Sequence, residues 1–190
     1  MRCFGDGDPL YAAYHDGEWG RPLTGERELF ELICLEGFQA GLSWLTVLRR
    51  REGMRGAFAG FDPEAVAAFG PEDLERLLAD PRVIRQRAKL EAAVANARAT
   101  LALRGSGEDL ARLVWSFRPP DAPAPEGWPD VPSETPASRD LAKTLKGRGF
   151  RFIGPTTAYA LMQSAGLVND HLAACPVRAA VEAERQATRP

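Results

Sequence analysis

Two histidines and three cysteines are the residues of this chain best suited to hold a metal. Cys3 and His15 lie near the start. His171 and Cys175 lie near the end, spaced His-x-x-x-Cys, while Cys34 sits apart within an apolar run. Two thiolates and two imidazoles complete the tetrahedral shell of a Cys₂His₂ zinc site. If the four converge, one ion joins the first residues to the last. Four protein ligands leave no open position for water, so such a zinc is structural rather than catalytic. The distance between the two pairs excludes a single DNA-reading ββα finger. Spacing alone leaves a plainer alternative open, that of two buried thiols and two incidental histidines.

A second chemical feature runs from Arg148 to Tyr159. A helix ending at glycine, a tight apolar turn and a new helix opening with Gly154-Pro155 predict a helical hairpin. The second helix points unpaired N–H groups outward, and Gly154 permits close backbone approach. That geometry binds a phosphate oxygen without reading a base. Gly154, Thr156 and Arg151 are the candidate phosphate contacts. An ordinary helical turn is the competing reading.

Bulk properties bound the rest. The 190 residues suit one compact domain or two small lobes on a shared core. No apolar run approaches the roughly 20 residues that span a bilayer, and the N-terminus has no apolar signal segment. Three cysteines are too few for a disulfide framework. A cytoplasmic, reducing setting is therefore expected. Net charge is −2, a weak argument against nucleic acid, because binding responds to the local field. Basic residues cluster at 49–51, at Arg82, Arg85, Arg87 and Lys89, and at Lys143, Lys146, Arg148 and Arg151. They are either solvated helix faces or a phosphate-tracking surface.

The elements that must position these residues read as helices. Thr24 is a candidate cap for a helix carrying Leu29, Phe30, Ile33, Cys34 and Gly37 at three- and four-residue steps. A second runs from about 43 to 51. Asp62-Pro63-Glu64 and Gly70-Pro71-Glu72 place proline and acid in a first turn. Asp80-Pro81 predicts a longer helix with Ile84, Leu90, Val94, Ala97 and Leu101 along one stripe. A short helix covers about 108–117. Residues 119–136 hold seven of the fifteen prolines and predict an irregular loop. Thr135 or Ser138 caps the next helix, which ends at Gly147, and the last runs from Pro155 to Gly166. Phe150–Ile153 is the best strand candidate and is too short. Residues 178–190 are expected as a mobile tail or a frayed helix after a domain of 1–177.

Several motifs in order carry a resemblance. They are Asp8-Pro-Leu-Tyr11-x-x-Tyr14-His15-Asp16-x-Glu18-Trp19-Gly20, Glu36-Gly-x-Gln39-Ala-Gly41-Leu-Ser-Trp44, Ile84-Arg-x-Arg87-x-Lys89, Val114-Trp115-Ser-Phe117 and Gly166-Leu-Val-Asn-Asp-His171. Over about residues 1–175 the chain resembles the constitutive bacterial 3-methyladenine DNA glycosylases, of the helix-hairpin-helix superfamily. The hairpin, about 147–158, is similar to theirs. Where members that also cleave the backbone carry a Schiff-base lysine, this chain has Thr156. Where many members carry a catalytic aspartate, it has Asn169. The tryptophan usual after the first cysteine is replaced by Phe4 or absent.

The resemblance implies an all-α fold: two helical lobes around a cleft, a helix-hairpin-helix, and a structural zinc joining the termini. It implies excision of 3-methyladenine from double-stranded alkylated DNA without strand cleavage, by a monomer. Cys3, His15, His171 and Cys175 match the zinc ligands. Glu36, Trp44 and Tyr14 match the residues that hold the extruded base, with Tyr11 and Trp19 as further aromatics. Read alone, Glu36 is a surface acid at a helix end, and Tyr14 and Trp44 are core. An ionised Glu36 accepts hydrogen bonds only and suits an adenine amino group. Glu36 or Asp170 is the candidate to position water. A non-catalytic zinc-stabilised DNA-binding protein is the alternative, and a small-molecule zinc hydrolase a further one.

Overall fold

The computed structural model describes residues 1–188, and every regular element among them is helical. α1 spans Pro9–Gly17, α2 Glu26–Gln39, α3 Trp44–Ala57, α4 Pro63–Ala67 and α5 Pro71–Ala79. α6 spans Arg87–Gly105, α7 Leu110–Trp115, α8 Pro136–Gly147, α9 Pro155–Ser164 and α10 Arg178–Ala187. Among the described residues no helix is long and apolar enough to cross a membrane.

α2 is the centre because it is apolar on nearly every side. An unbroken run from Leu32 to Phe38 is buried, Glu36 included. A helix apolar all round must be surrounded, and α3, α6, α7 and α9 pack on it. α6 lies against α4, where Arg98 donates to the Ala67 carbonyl at 3.0 Å and Arg104 to Glu64 at 2.6 Å. The buried apolar residues form one continuous cluster from Tyr14 to Leu167, so the core shows no break between lobes.

α8 and α9 pack on each other, joined through 148–154. α6 fixes that turn with one side chain. The Arg151 N–H donates to Asn96 Oδ1 at 2.7 Å, and Asn96 Nδ2 donates to the Arg151 carbonyl at 3.3 Å. Asn96 is buried, so its amide would be costly unpaired. Phe150–Ile153 forms no strand; Phe152 within it has φ +55° and is exposed.

Two expectations are corrected. α2 is capped by Gly25, not Thr24. Asp80-Pro81 opens no helix: residues 81–86 are a turn, and α6 begins at Arg87. The Asp80 carboxylate there accepts from both the N–H and the guanidinium of Arg82, which closes a local turn instead of a helical one. Of the two readings of the C-terminal segment, the helical one holds over 178–187: these residues form α10, with Val181 and Arg185 buried. Positions 189 and 190 of that expected tail lie outside the described residues.

α10 acts as a bolt. Arg185 donates to the carbonyls of Gly166 and Leu167 at 2.8 and 2.9 Å and to Glu182 at 2.6 Å. Arg178 donates to the carbonyls of Asn169, at 2.8 Å, and of His171. Two arginines therefore hold the backbone between α9 and His171. Arg185→Leu should cost about 2–5 kcal/mol, because it strands buried carbonyls and a carboxylate; urea unfolding measures it.

Candidate functional site

The chain ends meet. Cys3, His15, His171 and Cys175 each offer one ligand atom, and all four atoms lie within 4.8 Å of one another. Cys175 Sγ is 3.4 Å from His171 Nδ1 and 3.6 Å from His15 Nε2, and Cys3 Sγ is 3.7 Å from His171 Nδ1. A tetrahedron with zinc bond lengths has ligand–ligand edges of about 3.3–3.8 Å. Those three separations fall in that range.

The surroundings orient both rings. His15 Nδ1 lies 2.8 Å from the Asp16 carboxylate, which Arg2 also holds at 2.7 Å. His171 Nε2 lies 3.0 Å from the Trp19 carbonyl. Each acceptor places a proton on the outward nitrogen and leaves the inward one a lone pair. The Cys3 N–H approaches the same His15 Nε2 at 3.2 Å, and the Leu172 N–H donates to Cys3 Sγ at 3.2 Å. Burial lowers His171 to about 4, so it is neutral, and raises the Cys3 thiol to about 11. Gly20 makes the packing possible. Its φ is +82°, and a Cβ there would stand 3.3 Å from the His171 ring. Gly166, with φ +80°, meets the same segment: its Cβ would lie 2.8 Å from the Gly20 carbonyl.

Aromatic rings connect this cluster to a cleft. Phe4 meets His15 and Trp19 edge-on, with centroids 4.9 Å away in each case, and Trp19 meets His171 at 4.6 Å. The cleft has a volume of about 570 Å³. Tyr11, Tyr14, Trp19, Glu36 and Trp44, singled out from the sequence, all line it. Phe4, Gln39, Trp128, Gln163 and Ser164 line it as well. Of these, Trp128, Gln163 and Ser164 had no assigned place. An aromatic residue in a proline-rich polar loop was the available signal for Trp128; Ser164 offers none.

The polar floor of the cleft is a short chain. Tyr14 O–H donates to Ser164 Oγ at 3.2 Å, and Ser164 O–H donates to Glu36 Oε1 at 2.9 Å. Among the described residues, Glu36 Oε2 and Trp44 Nε1 are buried without a hydrogen-bond partner. Each such group costs about 1–3 kcal/mol. Burial pushes the Glu36 carboxyl up to about 8, against the opposing Ser164 hydrogen bond. The Tyr14 phenol is also pushed far up, by burial first and the Glu36 charge second. An incoming planar group with a donor for Oε2 and an acceptor for the indole N–H would satisfy both. A cationic one would also favour ionised Glu36.

A second cavity shares Tyr14, Trp44 and Ser164 with this cleft. Most of its charged lining is ion-paired: Arg51 binds Glu18 at 2.5 Å, Arg55 binds Glu31 at 2.7 Å, and Arg21 binds Glu184. The buried polar atoms without partners, on Glu36 and Trp44, therefore favour the cleft that both of them line.

Gly154 is the N-cap of α9, and Thr156 and Arg151 are exposed beside it. The turn abuts the Glu36 helix, since a Cβ on Gly37 would lie 3.3 Å from Phe152 Cβ. Asn169 and Asp170 do not line the cleft; both line a cavity beneath the proline-rich loop. Asn169 donates to Glu182 at 2.9 Å, and Asp170 accepts from Tyr159 at 2.7 Å and Gln163 at 2.8 Å. Of the basic clusters, Arg49, Arg51, Arg82, Arg87 and Arg148 are ion-paired within the molecule.

Against known families, the model described as methyladenine glycosylase matches residues 4–179. This chain belongs to the methyladenine glycosylase family. DNA-3-methyladenine glycosylase 1 of Escherichia coli is 51% identical over 170 residues, covering 88% of this chain and 91% of that protein. A crystal structure of 3-methyladenine DNA glycosylase I superimposes with a TM-score of 0.90 at 52% identity, covering 93% of this chain and 98% of that one. A substituted 3-methyladenine DNA glycosylase I crystallised with 3-methyladenine gives 0.88 at 37% identity, covering 93% and 96%. The all-helical architecture is that of the methyladenine glycosylases.

The raised Glu36 carboxyl makes this methyladenine glycosylase pH-sensitive. Unfolded, Glu36 ionises near its ordinary value of 4.5; folded, it keeps its proton to about 8. The unfolded chain thus binds fewer protons between those values, and Glu36 lowers stability progressively as pH rises through that window. Glu36→Gln should therefore melt above the parent at pH 8, with the gap closing towards pH 5 in a series of thermal melts.

Proposed function

We propose that this methyladenine glycosylase removes 3-methyladenine from alkylated double-stranded DNA by base excision, as a monomer and without cutting the strand. The observation that carries the proposal is the buried Glu36–Trp44 pair, one oxygen and one N–H lacking partners, inside an aromatic cleft.

A flipped base loses its stacking, worth roughly 1–3 kcal/mol per contact. Tyr14, Trp44, Tyr11 and Trp19 offer replacement faces. Methylation at N3 leaves the base cationic, and a cation on a desolvated π face gains about 2 kcal/mol or more. Glu36 Oε2 accepts from the exocyclic amino group of adenine; guanine presents an acceptor oxygen there and is disfavoured. Bringing the cation beside Glu36 draws its carboxyl towards the ionised form. The bond from C1′ to the base then breaks, and its electron pair neutralises the leaving base. Water adds at C1′ and gives up its proton to bulk water, leaving free 3-methyladenine and an abasic sugar. A labile bond requires recognition more than a strong base. Glu36 is the one carboxylate among the described residues lining the cleft, which makes it the candidate to position that water. Thr156 cannot form the Schiff base that strand cleavage uses.

The hairpin at about 147–158 acts as a helix-hairpin-helix. Gly154, the N–H groups at the start of α9, Thr156 and Arg151 take backbone phosphates. The four-residue Cys/His cluster holds one structural zinc within a domain of residues 1–177. When bound, zinc supplies a fixed tie between Cys3 and His15 at one end and His171 and Cys175 at the other. This chain's own groups, Asp16 and the Trp19 carbonyl, hold the two rings for it.

Free-base release from methylated DNA, resolved by chromatography, tests the activity. 3-Methyladenine should appear with no cleavage of an abasic strand. Glu36→Gln should lower excision about 10- to 150-fold, the worth of one hydrogen bond to a charged group; near-normal release would remove Glu36 from recognition. Elemental analysis should find about one zinc per chain. Cys175→Ala protein retaining full metal content would break the ligand assignment.

A further inference from the structure

The proline-rich loop at 119–136 has no part in the chemistry described so far, yet it carries one aromatic residue, Trp128. Its ring is 46% exposed, one of the few large apolar side chains so placed. The exposure does not come from looseness. Trp128 opens a single 3₁₀ turn, Trp128–Asp130. The Asp130 carboxylate accepts from the N–H groups of Glu126 and Gly127 at 3.0 and 3.1 Å, which closes the turn. The Ala173 N–H donates to the Pro125 carbonyl at 2.8 Å and ties the loop to the protein body. The indole N–H donates to the Cys3 carbonyl at 3.2 Å, so the polar edge of the ring is satisfied.

The apolar part of the ring faces the cleft. Its centroid lies 6.3 Å from Phe4 and 6.4 Å from Trp19, and it shares the cleft lining with Glu36 and Trp44. A rigid aromatic ring, its hydrogen bond made and part of its surface uncovered, offers stacking area at little further entropy cost. The polar groups that lack partners sit deep, at Glu36 and Trp44; the uncovered ring sits at the rim. A planar bicyclic base reaching the deep groups would have its outer portion beside Trp128.

We infer that Trp128 is a base-contacting residue, the outer aromatic face that stacks on the extruded purine in this cleft. The inference rests on the excision activity proposed above and adds a contact from a segment that the other site residues do not use. Phe can keep the stacking; Leu keeps bulk and loses the π face.

The experiment measures affinity for free 3-methyladenine by calorimetry, and single-turnover release from methylated duplex DNA, for the parent, Trp128→Phe and Trp128→Leu. Thermal midpoint and zinc content should match across the three. The expected result is a Leu variant that binds the base about 5- to 150-fold more weakly, equivalent to about 1–3 kcal/mol, with a parallel fall in kcat/KM. The Phe variant should stay within about threefold of the parent. A Leu variant that binds the free base within about twofold of the parent overturns the assignment. So does one that loses affinity for duplex DNA with free-base affinity intact, because Trp128 would then touch the duplex. A parent protein that neither binds nor releases 3-methyladenine overturns the excision activity itself, and the Trp128 contact with it.

Discussion

The meeting of the two chain ends at Cys3, His15, His171 and Cys175 is the constraint on which the rest of this structure depends. Closing a loop of that length costs about 4–5 kcal/mol in chain entropy beyond a constant, and the described contacts offset it at several points. Asp16 and the Trp19 carbonyl orient the histidines, while the Leu172 N–H meets the Cys3 sulfur. The cleft is built onto this junction. Phe4 follows Cys3, Tyr14 precedes His15, and Trp128 donates to the Cys3 carbonyl. Anything that loosens the junction therefore loosens three walls of the cleft at once.

Within the cleft, electrostatics and burial set one another. Glu36 is buried because it lies in the stretch of α2 from Leu32 to Phe38 that the other helices surround. Ser164 meets only one of its oxygens. In the neighbouring cavity most of the arginines and glutamates pair with one another. Desolvation has left free hydrogen-bonding capacity in the cleft that Glu36 and Trp44 line.

Much of the helical order was legible, because proline and acid mark first turns. Asp62-Pro63, Gly70-Pro71 and Gly154-Pro155 all open helices as expected. Asp80-Pro81 carries the same signature and fails, since Asp80 turns onto Arg82. Asp8-Pro9 carries it too and opens α1, a helix too short and too weakly patterned to stand out. For α10 the sequence left helix and mobile tail open, because what holds the helix down is two arginines that reach distant carbonyls, which local sequence does not reveal. In the site, the Cys and His residues were legible by type and position. Tyr14 and Trp44 were legible only through family motifs, since a buried aromatic in a cleft and one in a core look alike in sequence. Ser164 depends on a contact with α2 from far along the chain.

Asn96 holds the hairpin turn by the backbone N–H and carbonyl of Arg151, and leaves the turn's own side chains out of the bargain. The shape of the turn is thereby imposed from α6, while residues such as Arg151 and Phe152 project outward. Descendants of this chain can exchange those outward groups without redrawing the loop that presents them.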